Sequence, residues 1–266
     1  MGSTSQKSGR KVDEQGRFFV PVERSRRRPE AIADRIKDTI RANSLQPGDR
    51  LPQEKELIDR FKAAKGTVRE AMKALETQGL VYTRSGPGGG AFVAQPSARH
   101  AMELLSNYFF FDQPSLPDIY AIRKMLEPEL AALLAGNVGA DDLARLERTI
   151  RIYDHPPADL DEQYHQRIAE LDFHSLLAEL SPSPLLGFLC GLMHNLLREL
   201  PLAREIYADP APTSREEGLL FQHRLMAALK DGRSDDARRI TSDHMAAAER
   251  YMIAKAAEIG ERETSG

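Results

Sequence analysis

The chain has 266 residues, 41% hydrophobic and 29% charged, with a formal charge of −3, a composition that suits a water-soluble chain of two domains of roughly 100–200 residues each. No apolar run approaches the ~18–20 residues of a membrane span and the N-terminus lacks an apolar leader core, so a cytoplasmic protein with no membrane partner is expected. Cys190 is the one cysteine, inside the apolar run Leu186–Met193, which excludes an internal disulfide, a thiolate metal cluster and a CxxC redox motif.

The small net charge hides an asymmetry. Residues 1–96 hold 19 Lys and Arg against 12 Asp and Glu, whereas the remaining residues hold 18 against 28. A basic first third on an acidic remainder points to a nucleic-acid-facing domain attached to something else. In chain order, residues 1–28 read as a disordered basic tail, rich in Ser, Gly, Lys and Gln and ending in Arg24-Ser25-Arg26-Arg27-Arg28, able to reach a phosphate or the minor groove. A helix follows over 29–42, with Pro29 at its first position and Ile32, Ile36 and Ile40 as its apolar stripe. Pro47-Gly48-Asp49 marks a turn, and Leu51–Leu57 opens a short helix ending near Phe61.

After a three- or four-residue connection comes a helix that ends at Gln78-Gly79. Val68, Ala71, Met72 and Leu75 share one side of it, while Lys65, Arg69 and Lys73, spaced by four, form a stripe on another. Like charges at that spacing repel by a few tenths of a kcal/mol per pair. Such a stripe is either a plain solvated face or a surface built for an external polyanion. Residues 80–84 and 91–94 read as strands joined by the glycine-rich turn Ser85–Gly90. Helix, short helix, helix and hairpin over 29–96 make a winged helix-turn-helix, in which the second helix of the turn enters the major groove.

Here Pro47–Leu57, Thr67-Val68-Arg69-Glu70-Ala71 and the wing Gly88–Val93 resemble the GntR family of bacterial transcription regulators. The DNA contacts this resemblance implies fall on Lys55, on Ala64, Lys65, Gly66 and Thr67 at the start of the recognition helix, on Arg69, and on the wing glycines Gly88, Gly89 and Gly90; Lys73 closes the cationic stripe. Many members have Ser-Arg where this chain has Ala64-Lys65, and arginine in place of Lys55. Ala64 cannot cap the helix, a loss of roughly 1 kcal/mol, and lysine lacks the bidentate fork that arginine offers guanine. This copy is therefore expected to read bases differently from those relatives.

Residues 97–266 show no strand signals. Seven helical patterns, near 98–111, 116–136, 140–154, 159–180, 184–206, 214–230 and 234–258, are punctuated by prolines. The expected class is mainly α, with an all-helical bundle of about seven helices as the effector-binding and dimerisation domain. Ile122–Pro128 and Asp172–Ala178 make this region resemble the helical effector-binding domain of the FadR branch of the same family.

Glu170 and His174 lie four apart on one helix face, with Asp172 off that face. His223 sits with Leu219, Leu220, Met226 and Ala227, and His244 with Ile240, Ala247, Ala248 and Tyr251, so each imidazole is expected to face inward. A core histidine is the plain reading of each; together Glu170, His174, His223 and His244 suit a divalent zinc, nickel or manganese ion. Many FadR-branch members hold a metal with an aspartate and three histidines in this pattern. Here Glu170 takes the aspartate's place, and the interval from His223 to His244 is one residue short, which either a turn absorbs or which puts Gln222 at the ligand position. Arg123 is either an ion-pair partner of Glu127 or, as the resemblance implies, the grip on an organic acid. His194, Asn195 and Arg198 are further candidates for the effector site.

The expected protein is a sequence-specific regulator, a repressor, that binds a palindromic operator in double-stranded DNA as a homodimer under the control of a small carboxylate or sugar-acid effector. The alternative is a metal-dependent enzyme in the helical domain, although the sequence has no HExxH and no placed general base.

Overall fold

The computed structural model describes residues 28–208 and 214–265; the expected tail over 1–28 lies outside them except for Arg28. The chain divides into two compact units at Ser97 and Ala98.

In the first unit, α1 (Arg28–Ala42), α2 (Glu54–Phe61) and α3 (Lys65–Thr77) precede an antiparallel hairpin of β1 (Val81–Arg84) and β2 (Gly90–Val93). Val81 pairs with Val93 and Arg84 with Gly90. Arg50 adds a bridge to Phe92, and the Leu51 N–H donates to Ala91 O at 2.8 Å, so the chain before α2 is stitched to the wing. The core is one cluster: Ile32 and Ile36 of α1, Leu57 of α2, Val68, Ala71 and Leu75 of α3, and Val81 and Val93 of the hairpin. Val68, Ala71 and Leu75 have no exposed surface, which fixes the rotation of α3 and turns its opposite side outward.

The second unit is helical. It runs α4 (Ala98–Tyr108), α5 (Leu116–Leu134), α6 (Ala140–Ile150), α7 (Leu160–Glu179), α8 (Pro184–Glu199), α9 (Pro201–Ala208), α10 (Ser214–Lys230) and α11 (Ser234–Ser265). Ser115 and Asp118 cap α5 reciprocally, and Asp159 accepts from the Glu162 N–H at 2.8 Å at the start of α7. The pattern read over 184–206 is two helices rather than one. Leu200, before Pro201, takes φ −65° and ψ 119°, an extended geometry that the proline ring favours, and α9 restarts at the proline. No described helix is long and apolar enough to cross a membrane.

Two apolar clusters fill this unit. One gathers Leu130 and Leu134 of α5, Phe173 and Leu177 of α7, Cys190 of α8, Leu225 of α10 and Ile240 of α11. The other gathers Ile119 and Tyr120 of α5, Leu171 of α7, Leu196 of α8, Ile206 of α9 and Met252 of α11. Along α5 the sequence passes from one cluster to the other through Arg123 and Glu127, both buried. His174, His194 and His244 hold corresponding places on α7, α8 and α11, so a polar layer separates the two cores. Burial pushes the Cys190 thiol up to about 12, which leaves it an inert thiol.

Lys62, which ends α2, has φ 47° and ψ 47°, a left-handed conformation that costs an L-residue energy and glycine almost none. Lys62→Gly should stabilise the protein by roughly 0.5–1 kcal/mol in denaturant unfolding followed on the winged unit; a loss of stability would show that the lysine side chain has a role of its own.

Candidate functional sites: a DNA-reading face and a buried polar cavity

On the first unit, Lys65, Arg69 and Lys73 are exposed along α3, with Lys55 exposed on α2. Ala64 stands at the N-cap of α3 without a side-chain cap bond. The stripe is not bare. Glu54 of α2 accepts from Arg69 Nε at 2.9 Å and lies 3.6 Å from Lys65 Nζ. The Arg69 hydrogen bond is the main reason that the Glu54 carboxyl is lowered from its usual range. Gly66 is exposed and Thr67 half-buried at the first turn of α3. In the wing, Gly90 has φ 147°, and a Cβ there would come within 3.1 Å of the Arg50 guanidinium, which itself donates to Gly89 O at 2.5 Å. The backbone conformation thus favours glycine at 90, and Arg50 packs against it and braces the wing. Gly88, at φ 76°, sits exposed at the tip.

In the second unit a cavity of about 510 Å³ opens among α5, α7, α9, α10 and α11. Tyr120 and Arg123 line it from α5, Arg167, Glu170 and His174 from α7, and His244 from α11. Behind its wall Glu127 is the hub of a buried hydrogen-bond set. Its Oε1 accepts from Arg123 Nε at 2.5 Å and from His194 Nε2 at 3.0 Å, and its Oε2 accepts from His174 Nδ1 at 2.8 Å. Burial would raise the Glu127 carboxyl, but Arg123, His194 and His174 outweigh it and hold it well below the usual carboxylate range. Burial pushes His194 down to about 4 against the pull of Glu127, so it is a neutral imidazole that donates from Nε2. Burial, then His174 and Arg123, likewise holds His244 well below the usual histidine value.

Residues 29–93 match the family described as bacterial regulatory proteins, gntR family, and residues 118–247 match the FCD domain. The chain belongs to the GntR family. YcbG of Bacillus subtilis, an uncharacterized HTH-type transcriptional regulator, is 30% identical over 166 residues, covering 62% of this chain and 66% of its own length. LutR of the same organism, an HTH-type transcriptional regulator, is 27% identical over 209 residues, covering 77% and 92%. The HTH-type transcriptional repressor NanR of Klebsiella aerogenes is 26% identical over 232 residues, covering 83% and 86%. Among solved structures, a Streptococcus agalactiae GntR protein superposes with a TM-score of 0.58 at 22% identity, over 84% of this chain and 99% of that one, a likeness of fold. This GntR-family chain is a DNA-binding transcription regulator with a helical effector-binding domain, and as such it acts in the cytoplasm.

The effector and metal residues read from the sequence are placed unevenly. Arg123 pairs with Glu127, as one of its two readings has it, and also lines the cavity. His194 is buried in the Glu127 set and is not among the lining residues. Asn195 and Arg198 do not line the cavity either. Asn195 donates to Ser106 Oγ at 3.0 Å and Glu199 Oε1 at 3.2 Å, and Arg198 to Asp172 Oδ1 at 2.6 Å, which are ties between or within helices.

Of the four metal candidates, Glu170, His174 and His244 reach the cavity, while His223 is exposed. The inward face of α10 is Gly218, Phe221, Gln222, Leu225, Ala228 and Leu229, a regular helical stripe, and His223 lies one step of about 100° beyond Gln222. Gln222 is fully buried, and neither atom of its amide has a hydrogen-bond partner.

Among the described residues, the group spaced for a metal ion is Glu127, His174 and His194, whose ligand atoms lie within 4.8 Å of one another. Ligand atoms around one tetrahedral ion, each at about 2.0–2.2 Å, stand roughly 3.3 Å or more apart. The 2.8 and 3.0 Å contacts here are hydrogen bonds, and an ion among them would adjoin the buried Arg123 guanidinium. These donors, as arranged, do not fit an ion. Protein purified without chelator should carry about 0.2 metal per chain or less by plasma mass spectrometry; a stoichiometric ion would mean that the set rearranges around it.

The same burial predicts a pH response. The unfolded His194 binds a proton near pH 6.5, while the folded residue refuses it until about 4. Stability is therefore full above pH ~6.5 and lost as pH falls through that window, by about 2 kcal/mol at pH 5. Denaturant unfolding at pH 7.5 and 5 measures it, and His194→Gln should shrink the difference.

Proposed function

We propose that this regulator is a repressor which binds a palindromic operator as a homodimer and is released or retained by a small organic or sugar acid held in the helical cavity. The observation that carries the reading is the exposed cationic stripe of α3, turned outward by the fully buried Val68, Ala71 and Leu75, on a chain whose second unit holds a cavity lined by a buried arginine. One recognition helix reads only a few base pairs, and a two-fold pair of them reads a palindrome, which is why a dimer is required. Repression is supported by the relative named as a repressor, NanR.

In this reading Arg69 reaches base edges while Lys65, Lys73 and Lys55 meet phosphates, with Gly66 and Thr67 letting the backbone approach and the wing glycines lying along the duplex. Arg123 offers its guanidinium to the acid from the cavity wall. An effector changes operator affinity only by its differential affinity for the two states of the protein, and operator must change effector affinity by the same factor. The expected zinc, nickel or manganese ion is not part of this reading, because Glu127, His174 and His194 are bound to one another by hydrogen bonds too short for an ion between them. The metal-dependent enzyme draws no support from the relatives, which are transcription regulators.

Selection from random duplexes should return an inverted repeat. Against that duplex, Arg69→Ala should cost about 1–3 kcal/mol and relax specificity at one position of each half-site, whereas Lys73→Ala should weaken all sequences alike and lower the salt slope by about 1. Unchanged affinity and slope in both variants would remove α3 as the recognition helix. A thermal-shift screen against organic acids, with hits carried into operator titrations, tests the effector half.

A further inference from the structure

A second shielded ion pair lines the cavity, besides the Arg123–Glu127 pair that reaches behind its wall. Arg167 Nη1 lies 2.5 Å from Glu170 Oε2, one helical turn apart on α7, with both side chains largely shielded from solvent. We propose that Arg167 is an anion-binding anchor of the cavity and that Glu170 is its internal occupant, a carboxylate of the protein standing where the carboxylate of a small organic acid goes. The proposal rests on the reading that this cavity takes an acidic effector, and it adds the group that receives the acid and the group that must leave.

The two glutamates of the cavity region are held differently. Glu127 is fixed from three helices by Arg123, His174 and His194. Glu170 is held by Arg167, with His244 Nε2 standing 4.0 Å from its other oxygen, beyond hydrogen-bond reach. An incoming carboxylate can therefore exchange with Glu170 far more readily than with Glu127. Gly218 on α10 leaves room for this carboxylate, since a Cβ there would come within 2.9 Å of Glu170 Oε1.

Arg167 is set for a planar anion. Its guanidinium lies 5.9 Å from the Tyr207 ring centre, and burial keeps Tyr207 and Tyr120 neutral, as hydroxyl donors on the cavity wall. Tyr153, close enough to feel the charges of Glu170 and Arg167, has a buried hydroxyl with no hydrogen-bond partner. The ligand class is a small acid whose carboxylate matches a guanidinium fork and whose remaining polar groups reach Arg123 on the same wall.

The test is chemical rescue with formate and acetate, which needs no knowledge of the natural effector. Glu170→Ala should melt below the wild type, and about 50 mM formate should raise its Tm by about 3 °C or more, against less than about 1 °C for the wild type. Formamide, equal in shape and uncharged, should do nothing, and the double variant Glu170→Ala, Arg167→Gln should lose the response. If Glu170→Ala does not fold, Glu170→Gln carries the same comparison with acetate at nearly constant volume. A formate or acetate response no larger in the variant than in the wild type would overturn the proposal, as would an equal response without Arg167. An empty organic-acid screen on the wild type would count against the effector reading and leave the rescue result readable.

Discussion

The helical unit depends on one buried carboxylate. Glu127 accepts hydrogen bonds from Arg123 one turn earlier on α5, from His174 on α7 and from His194 on α8, and so ties three helices at the level where two apolar cores meet. A carboxylate in that position is costly to desolvate, and only the full set of donors keeps it charged. Removing one donor would leave the others facing an under-satisfied charge, so the set behaves as a unit rather than as three separate bonds. It also fixes which ring nitrogen of each histidine carries the proton, and therefore which edge of His174 is turned away from Glu127.

On the DNA-binding unit a carboxylate plays a comparable part in the open. Glu54 takes Arg69 and lies close to Lys65, so the free protein does not present three bare cations. In high dielectric this pairing is worth little as stability. Its consequence is positional, because Arg69 is drawn towards the α2 side of α3 rather than left to wander over its rotamers. Arg50 does the same for the wing, where its bond to the Gly89 carbonyl and its contact with Gly90 shape the turn.

The first unit was largely legible in the sequence because its signals are local. Ile32 and Ile36 at helical period, the Pro47-Gly48-Asp49 turn and the glycine run of the wing each speak for the few residues around them. The cavity was legible in part, and the failures have physical causes. The apolar residues of α10 surround it so nearly that Leu219, Leu220, Met226 and Ala227 offer a false stripe. The true one, through Gly218, Phe221 and Leu225, puts Gln222 inside and His223 outside. Asn195 and Arg198 looked like site residues for being polar on an apolar helix, yet helix packing gives them partners in Ser106, Glu199 and Asp172. Arg167 was missed because an Arg–Glu pair three apart is commonplace on exposed helices, and only tertiary burial distinguishes this one.

Burial of that pair sets how the cavity can respond to a ligand. An arginine left unpaired inside a protein would pay several kcal/mol in lost hydration, so a site that waits for an anion is more stable if it carries one of its own. Exchanging an internal carboxylate for an external one then returns only the difference between two similar pairings, less the cost of seating the displaced group. Tight binding is given up, and reversibility over a metabolite's working range is gained. The displaced Glu170 must also go somewhere, and it stands between Gly218 on α10 and His244 on α11. Whichever way it turns, against α10 or towards His244 on α11, a local exchange of carboxylates becomes a change in helix packing. A two-state regulator needs that kind of differential contact if its ligand is to shift the balance between states at all.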